Sequence, residues 1–345
     1  MRNYINNMKK QTAAVLLIVC LILMSGLSAC GRQAPESEPP EETAQSESTE
    51  TSSAPVPAED IDAPAIAADE TASVLSVYTD ANGDSAYIPA DFKVSAKGNE
   101  QTVSTGLVVI GPDGSEFVWV PTTVTELAVR EFGSYFSGGG SVSNYYDETD
   151  LPEYKAMKAS TERYGGFYIG RFEASQGEDG LPASKRVTED EPGRIWVQFS
   201  PQDTTEACKE VYADNDTVEG FFPWGINWDT TLQWLVDSGD KLIGDIKGDS
   251  TSWGNYSNDS FSEGARGNYT GVWEEAKANN IYDLAGNNWE WTQERSGSDY
   301  VMRGGGYNLM GGSCQGNQYP ATMRDPLPGN DHHPNVTFRV ALYVE

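Results

Sequence analysis

The chain has 345 residues, and its 52 acidic residues outnumber its 23 lysines and arginines, which gives a formal net charge of -29 at pH 7. It contains no run of lysine or arginine. Binding to nucleic acid depends on such residues to neutralise phosphates, so the composition argues against a nucleic-acid partner. His332 and His333 are the only histidines, so a Ser-His-Asp hydrolase would have to take its base from that one loop.

The N-terminus has the layout of a secretory signal. Arg2, Lys9 and Lys10 precede an apolar run over residues 12–23, and small residues come directly before Cys30. The run is too short for a convincing membrane span. A cysteine at the cleavage point resembles a bacterial lipoprotein signal, in which the thiol is lipidated and becomes the new N-terminus. The alternative is an ordinary signal peptide with an incidental cysteine.

Composition predicts four segments, and the first is a lipoprotein signal peptide over residues 1–29. Residues 30–72 are rich in Pro, Ser, Thr, Ala and Glu and contain no aromatic residue. Such a segment buries too little apolar surface to fold, so it is predicted to be a disordered acidic stalk. Residues 73–114 are expected to form an N-terminal extension with strand-forming potential. Residues 115–345, which hold all nine tryptophans, are expected to form the main domain.

Short apolar runs between glycines and prolines predict strands in this domain. The predicted strands cover residues 117–121, 166–173 and 195–199. Ser200 followed by Pro201 is a strong helix start, because serine caps the first amides and proline suits the first helical position. A helix is therefore predicted over residues 204–212, and a second over residues 228–236 from the spacing of their apolar side chains.

The C-terminal part has long polar connections. Residues 238–276 form a stretch rich in Gly, Asn, Ser and Asp, which aromatic plugs or a bound metal would have to hold in place. A turn is predicted over residues 282–292, with strands over residues 300–303 and 338–343. Few helices, short antiparallel strands and long glycine-rich loops together predict an irregular, loop-rich α+β fold.

Three motifs follow one another in the C-terminal part of the chain. They are Gly286-Asn287-Asn288-Trp289-Glu290-Trp291, Arg303-Gly304-Gly305-Gly306-Tyr307 and Phe338-Arg339-Val340-Ala341. Their order and spacing resemble those of the formylglycine-generating enzyme, or sulfatase-modifying factor, family. Residues 166–173 and 225–229 fall at two further family segments, so the resemblance covers roughly residues 115–345. It implies the irregular C-type-lectin-like fold of that family.

The resemblance also exposes a departure from the family pattern. In the oxygen-dependent members, two cysteines separated by four residues follow the Arg-Gly-Gly-Ser-Tyr segment and bind copper(I) as soft thiolates. Counted from Tyr307, Cys314 falls on the second family cysteine, whereas Leu309 occupies the first and Met310 offers only a thioether nearby. The two-thiolate site cannot form as the family builds it, so copper and enzymatic activity are not expected. If the chain is nevertheless an active oxidase, Cys314 is its catalytic residue.

Oxygen-bearing side chains cluster in the first motif. Asp283, Asn287 and Glu290 lie close together around a turn, and carboxylate and amide oxygens are ligands that calcium prefers. The resemblance points the same way, because the family holds calcium around this segment. The alternative is that these side chains satisfy backbone groups of a tight turn. Four neighbours are expected to be core aromatics or buried ion-pair partners: Trp289, Trp291, Arg303 and Arg339.

Two cysteines remain after Cys20 leaves with the signal and Cys30 receives lipid. These are Cys208 and Cys314, and outside the reducing cytosol a disulfide between them is permitted. A lone free thiol at Cys314 is the alternative. Two thiols are too few for a structural zinc site.

Residues 308–337 lie between two of the motifs and are rich in polar and aromatic side chains. In binding proteins that resemble this fold, including targets of diversity-generating retroelements, this segment forms the ligand surface. Tyrosine and asparagine suit such a surface, since they supply contact area and adaptable hydrogen bonds. A solvated loop is the alternative. The residues expected to contact a ligand are Asn308, Gln315, Asn317, Tyr319, Asp331 and His332.

These observations predict an exported lipoprotein, held at the bacterial cell surface or envelope through lipid alone. Its main domain is expected to be a non-catalytic module that binds an external protein or glycan. One alternative is an oxidase that generates formylglycine from a sulfatase cysteine. A second is a carbohydrate-binding or carbohydrate-acting surface protein, suggested by nine tryptophans and the acidic composition.

Overall fold

The computed structural model describes residues 63–130, 132, 141–190, 193–257, 267, 269–308 and 319–345. These residues form four α-helices: α1 (Pro152–Tyr164), α2 (Pro201–Lys209), α3 (Gly225–Asp237) and α4 (Ile243–Lys247). They also form sixteen short strands: β1 (Ser76–Thr79), β2 (Ser85–Ile88), β3 (Lys93–Val94), β4 (Val108–Ile110), β5 (Glu116–Pro121), β6 (Gly166–Gly170), β7 (Ser175–Gln176), β8 (Pro182–Ala183), β9 (Val218–Phe221), β10 (Lys277–Ala278), β11 (Ile281–Tyr282), β12 (Trp289–Ser296), β13 (Asp299–Arg303), β14 (Arg324–Leu327), β15 (Val336–Thr337) and β16 (Ala341–Val344). Within the described part of the chain, the predicted mixture of few helices and short, mostly antiparallel strands is confirmed.

The largest sheet has six strands in the order β3-β4-β5-β6-β16-β9, and all neighbours are antiparallel. In β5, Phe117 and Trp119 pack into one hydrophobic cluster, while Val118 and Val120 pack into the other. Because both faces of this strand are covered, its sequence is a continuous apolar run instead of an alternating one. The strand predicted over residues 117–121 is confirmed.

A second sheet has four strands in the order β14-β13-β12-β15. The strands β12, β13 and β14 pair antiparallel, whereas β15 joins β12 in parallel. The register between β12 and β13 shifts between Trp291 and Arg295, as it does at a β-bulge, and such a shift bends the strand locally. The strands of this sheet contain Trp289, Glu290 and Trp291 of the first motif and Arg303 of the second, and the sheet shapes the site described below.

Hydrogen-bond acceptors at their first amides explain where two of the helices begin. The Ser200 side chain accepts a hydrogen bond from the Asp203 amide at 3.2 Å, and Pro201 occupies the first position of α2. The predicted start of this helix is therefore confirmed. At the start of α3, the amides of Gly225 and Ile226 each donate to the Asp147 carboxylate at 2.9 Å. A carboxylate in this position satisfies two amides that have no partner inside the helix.

Two sequence predictions need correction, and one helix was not predicted. Residues 195–199 are not a strand, since Ile195 makes only an isolated bridge to Ser175. Residues 282–292 are not a turn throughout, because β12 begins at Trp289 and continues to Ser296. Helix α1 was not predicted at all, although it buries Tyr154, Met157, Thr161 and Tyr164 along one side.

The long polar stretch after α3 is held by aromatic plugs over the described residues up to 257. Trp253 and Tyr256 are both buried. The indole of Trp253 donates to the Asp245 carbonyl at 3.1 Å, and the Tyr256 hydroxyl donates to the Gly304 carbonyl at 2.8 Å. The second bond ties this stretch to the glycine-rich motif after β13. No helix in the described part of the chain is long and apolar enough to cross a membrane.

Candidate functional site

One face of the four-stranded sheet forms the floor of a cavity of about 280 Å³. The pairing of β13 with β14 places Met302 beside Asp325, and that of β12 with β15 places Trp289 beside Val336. Because side chains alternate along a strand, Leu327 lies on the same face as Asp325. All five side chains line the cavity, so its shape follows from the strand register.

The rim of this cavity comes from loops beside the sheet. Its members are Asn308, Tyr319, His333 and Asn335. The Tyr319 ring stands edge-on to the Trp289 ring, with centroids 5.9 Å apart and planes at 89°. Gly305 has a φ of 81°, and a Cβ at this position would lie 2.6 Å from the Tyr319 carbonyl oxygen. The motif after β13 therefore needs glycine at position 305 to let Tyr319 approach.

A second cavity, of about 430 Å³, adjoins the first. The two cavities share Asn335 as a lining residue. The other lining residues of the larger cavity are Gly193, Arg194, Ile195, Val197, Gly267, Tyr269, Tyr307 and Pro334. Together the two cavities form what we call the Asn335 groove, which has aromatic and aliphatic walls and a few polar side chains. Such a combination is typical of ligand-binding sites.

A buried network of four ion pairs, between two arginines and two acids, supports the far side of the sheet. Arg303 on β13 donates to Asp229 at 2.6 Å and to Glu294 at 2.9 Å. Arg324 on β14 donates to Glu294 at 2.8 Å and also to Asp229. Burial alone would raise the pKa of Asp229, but the two guanidinium groups outweigh it and hold the pKa below its usual value. The prediction that Arg303 is a buried ion-pair partner is confirmed.

A second polar centre lies around the first sequence motif. Arg339 donates to Glu290 at 2.7 Å and to the Tyr282 carbonyl at 2.6 Å, so it is also the buried ion-pair partner that the sequence predicts. The carboxylate of Glu173 accepts bonds from the Asn288 amide and from the side chains of Asn287 and Asn288. Burial raises the pKa of Glu173 well above its usual value, and the neighbouring negative charges of Asp283 and Glu290 raise it further.

The side chains expected to bind calcium already have other partners. One Asp283 oxygen accepts from Thr270 and Gly271, and the Asn287 amide oxygen accepts from Asn255 and Gly267.

For Glu290, the first carboxylate oxygen accepts from Arg339, so a guanidinium supplies the positive charge that a metal ion would bring. Two buried oxygens, Asp283 Oδ1 and Glu290 Oε2, have no hydrogen-bond partner. Calcium usually takes six to eight oxygens. No group of three or more His, Cys, Asp or Glu side chains in the described residues could hold a metal ion. These hydrogen bonds argue against calcium at the predicted triad, and the calcium site stays a prediction until calcium binding is measured.

The structure brings some predicted ligand-binding residues to the groove and leaves others out. Asn308 and Tyr319 line the smaller cavity. His332 is exposed, and its Nδ1 lies 2.9 Å from the Gln198 carbonyl oxygen. Asp331 uses its backbone amide in a bond to Pro328, and neither Asp331 nor His332 lines a cavity of the groove. Four predicted residues lie outside the described part of the chain: Cys30, Cys314, Gln315 and Asn317.

Several groove residues were not predicted from sequence. Arg194 and Tyr269 come from two segments far from the C-terminal motifs. Met302 and Asp325 face the smaller cavity because β13 and β14 pair. Strand β14 was not predicted, because its sequence lacks the alternating apolar pattern of a half-buried strand. The polar segment 308–337, which contains Asn308 and Tyr319, was the local signal for this surface.

Cys208 on α2 is completely buried in the hydrophobic core, and it has no disulfide partner among the described residues. Burial raises the pKa of this thiol well above its usual value, because the thiolate would lose its hydration. The predicted partner Cys314 lies outside the described residues, so the disulfide stays a prediction.

Among comparisons with known proteins, only the comparison with solved structures finds matches. No family model matches the chain, and no curated protein matches it. The structure titled "Crystal Structure of CarF" is similar at 14% identity with a TM-score of 0.34, over 52% of this chain and 87% of that chain. Treponema denticola variable protein 1 is similar at 15% identity with a TM-score of 0.28, over 77% of this chain and 98% of that chain. Likenesses this low carry no argument about fold or function.

Proposed function

We propose that the protein is a cell-surface lipoprotein whose main domain binds an external ligand, a protein or a glycan, in the Asn335 groove. The observation that carries this proposal is that two cavities share Asn335 as a lining residue. The rim of one contains Asn308 and Tyr319, which the sequence analysis selected independently as ligand-binding residues. Export and the lipid anchor rest on the signal-like N-terminus ending at Cys30.

The described lining of the groove consists mainly of groups that suit binding. Among the described lining residues, His333 has no serine, threonine, cysteine or lysine beside it that could act as a nucleophile. Asp325 is the one carboxylate in the described lining, whereas glycoside hydrolysis ordinarily needs a pair of carboxyl groups. The aromatic and amide side chains supply contact area and hydrogen bonds without a reactive group.

We further propose that the main domain has the C-type-lectin-like fold of the formylglycine-generating enzyme family. This rests on the three ordered motifs and on residues 225–229, which occupy the expected place. Leu309 stands where the oxygen-dependent members have their first copper-binding cysteine. The domain is therefore proposed to keep the family scaffold and to lack its copper chemistry.

The test is to block the groove and measure binding on arrays of peptides and of glycans. The full chain, purified in detergent, is compared with Asn335→Trp and with Asn308→Trp, which place an indole in the shared wall and on the exposed rim. Leu242→Trp is the control, because Leu242 is 73% exposed and lies outside both cavities. Binding that both groove variants lose and the control keeps supports the proposal.

Two results contradict the proposed function. The first is array binding that neither Asn335→Trp nor Asn308→Trp weakens, provided that both variants unfold at the same temperature as the parent chain. The second is oxygen consumption with a cysteine-containing sulfatase peptide, which would identify an active oxidase instead of a binding module.

A further inference from the structure

The larger cavity of the Asn335 groove contains one cationic side chain, that of Arg194. This side chain is exposed, and none of the other described residues that line the cavity is an acid. In the described part of the chain, the guanidinium of Arg194 forms neither an ion pair nor a hydrogen bond. A guanidinium is permanently charged and carries five hydrogen-bond donors, so in this cavity it is free to pair with an anion from outside.

Three uncharged polar side chains line the same cavity and are half-buried: Tyr269, Tyr307 and Asn335. The bonds that they make within the described residues use their backbone groups. The Tyr269 carbonyl accepts from the Asn287 side chain at 2.9 Å, and the Asn335 carbonyl accepts from the Trp289 amide at 3.1 Å. Two phenol hydroxyls and one side-chain amide are therefore available beside the guanidinium.

The buried side chain of Asn287 holds two walls of this cavity together. Its amide oxygen accepts from the Gly267 amide at 3.1 Å, and its amide nitrogen donates to the Tyr269 carbonyl. The backbone carbonyl of Asn287 accepts from the Tyr307 amide at 2.7 Å. The Tyr307 ring also lies against Gly267, where a Cβ would be 2.5 Å from a ring carbon. The two tyrosines therefore extend from backbone that one buried residue fixes, so the cavity is formed before a ligand arrives.

The polar groups of the larger cavity suit a sugar better than an acidic amino-acid side chain. Aspartate and glutamate end in a carboxylate on a short apolar stem, and this stem has nothing to offer two phenol hydroxyls and an amide. A sugar that carries an acid has several hydroxyls besides its charge, and each hydroxyl can donate and accept a hydrogen bond. The volume of about 430 Å³ also lies in the range of small-molecule sites.

We propose that the larger cavity binds an acidic sugar, whose carboxylate or sulfate pairs with Arg194. This inference rests on the proposed function and names the ligand class of the same groove. Tyr269, Tyr307 and Asn335 form hydrogen bonds with the hydroxyl groups of the sugar. The whole chain carries a formal net charge of -29, which does not attract an anion over long distances. The acidic sugar is therefore held by its short contacts with Arg194 and the neighbouring polar side chains.

The experiment measures binding of the full chain, purified in detergent, to an array of matched oligosaccharides. These carry glucuronate, galacturonate or sialic acid, each beside the same oligosaccharide with its carboxyl group reduced to an alcohol. Neutral oligosaccharides with and without a sulfate ester, and peptides with a central glutamate or glutamine, complete the array. Arg194→Gln removes the charge and keeps a polar side chain. Arg163→Gln is the matched control, because Arg163 is also an exposed arginine and does not line either cavity.

The parent chain should bind at least one acidic oligosaccharide about tenfold more strongly than its neutral counterpart. Whether carboxylate or sulfate pairs show this preference identifies the source of the charge. Arg194→Gln should abolish the preference, and Arg163→Gln should retain it.

Three results overturn the inference: equal binding of every acidic and neutral pair, binding of glutamate peptides alone, and an acidic preference that Arg194→Gln retains. Failure of every oligosaccharide to bind overturns it as well. If Asn335→Trp abolishes binding of another ligand that Arg194→Gln still binds, the proposed function survives and only the ligand class is wrong. Binding that none of the groove variants weakens contradicts the proposed function too.

Discussion

Arg303 and Asp229 form an ion pair of 2.6 Å although neither side chain is accessible to water. They lie in different parts of the fold, since Asp229 belongs to α3 and Arg303 ends β13. Two charges removed from water are stable only when their hydrogen bonds are satisfied by one another. Here Glu294 and Arg324 complete a closed set of four bonds, and this set fixes α3 against the sheet that carries the groove.

Removing one charge from this network should be severely destabilising. In Asp229→Asn, two guanidinium groups lose a buried counter-charge, so we expect the free energy of unfolding to fall by about 3–5 kcal/mol. Urea denaturation of the two chains measures the change. Asp150→Asn is the control, because Asp150 pairs with Lys155 at 3.7 Å in full exposure, and such surface pairs contribute about 1 kcal/mol or less. Equal effects of the two substitutions would contradict a structural role for the network.

Stability should fall as the pH rises through the range in which Asp147 titrates. Burial raises the pKa of Asp147 from 3.8 to about 7, and the negative charge of Glu294 contributes to the shift. Between these values the folded chain binds a proton that the unfolded chain has released. The contribution of Asp147 to the free energy of unfolding is therefore complete at low pH and is lost as the pH approaches 7. The free energy of unfolding should fall by no more than about 1.4 kcal/mol per pH unit through this group.

The Asp147→Asn variant isolates this contribution from the other acids. It loses an acceptor for one α3 amide, so it should be less stable than the parent chain at pH 4. The difference in unfolding free energy between the parent chain and Asp147→Asn should decrease as the pH rises to 7, because only the parent chain loses stability through the ionisation of Asp147. Urea midpoints measured across that pH range test the expectation. A gap that stays constant with pH would show that Asp147 does not titrate as described.

Local sequence predicted those parts of the fold whose signal is complete within a few residues. The apolar run Phe117–Val120 predicts a strand that is covered on both faces, and Ser200 followed by Pro201 predicts the start of α2. Helix α1 gave no such signal, because its buried side includes Ser160 and Thr161 besides apolar residues. The Ser160 hydroxyl donates to the Val344 carbonyl at 2.7 Å, a tertiary hydrogen bond that a sequence pattern does not record. The Thr161 hydroxyl donates within the helix, to the Met157 carbonyl.

The groove shows the same division. Asn308 and Tyr319 were predicted because they lie in a polar segment between two motifs, whereas Arg194 and Tyr269 reach the groove only through contacts distant in sequence. The prediction that Asp283, Asn287 and Glu290 bind calcium also used local spacing, which does not reveal partners that are distant in sequence. Their spacing resembles a metal loop, but Arg339, which lies 49 residues away between β15 and β16, pairs with Glu290 and supplies a positive charge.

Chelation of calcium should leave the unfolding temperature unchanged. A bound ion at a hundredfold excess over its Kd would add about 2.7 kcal/mol to stability, and a chelator would remove that amount. Because Arg339 already neutralises Glu290 and the Asn287 oxygen accepts two hydrogen bonds, we expect no such loss. Calorimetry with calcium and with a chelator provides the measurement. A clear drop on chelation that Asn287→Ala removes would restore the calcium site.

The thiol of Cys208 should be unreactive in the folded protein. It is completely buried, and burial raises its pKa, so neither access nor thiolate formation favours a reagent. Alkylation is carried out without reductant and followed by mass spectrometry. Under these conditions Cys208 should be labelled only after the chain has been unfolded. If labelling of the unfolded chain requires reductant, Cys208 is bridged in the native protein. A peptide linking Cys208 to Cys314 would then establish the predicted disulfide.

The full chain should not retain copper(I) in competition with a strong copper(I) chelator. In the proposed family comparison, Leu309 occupies the position of one thiolate ligand and Cys314 that of the other. A single thiolate cannot provide the two soft ligands that coordinate copper(I) in the family. Leu309→Cys would supply the second thiolate, and this variant should bind about one equivalent of copper. Leu309→Ser, which adds a polar atom but no soft donor, is the control and should gain none. Copper retention by the unaltered chain, together with oxygen consumption in the presence of a cysteine-containing sulfatase peptide, would establish an oxidase and overturn the assignment as a binding protein.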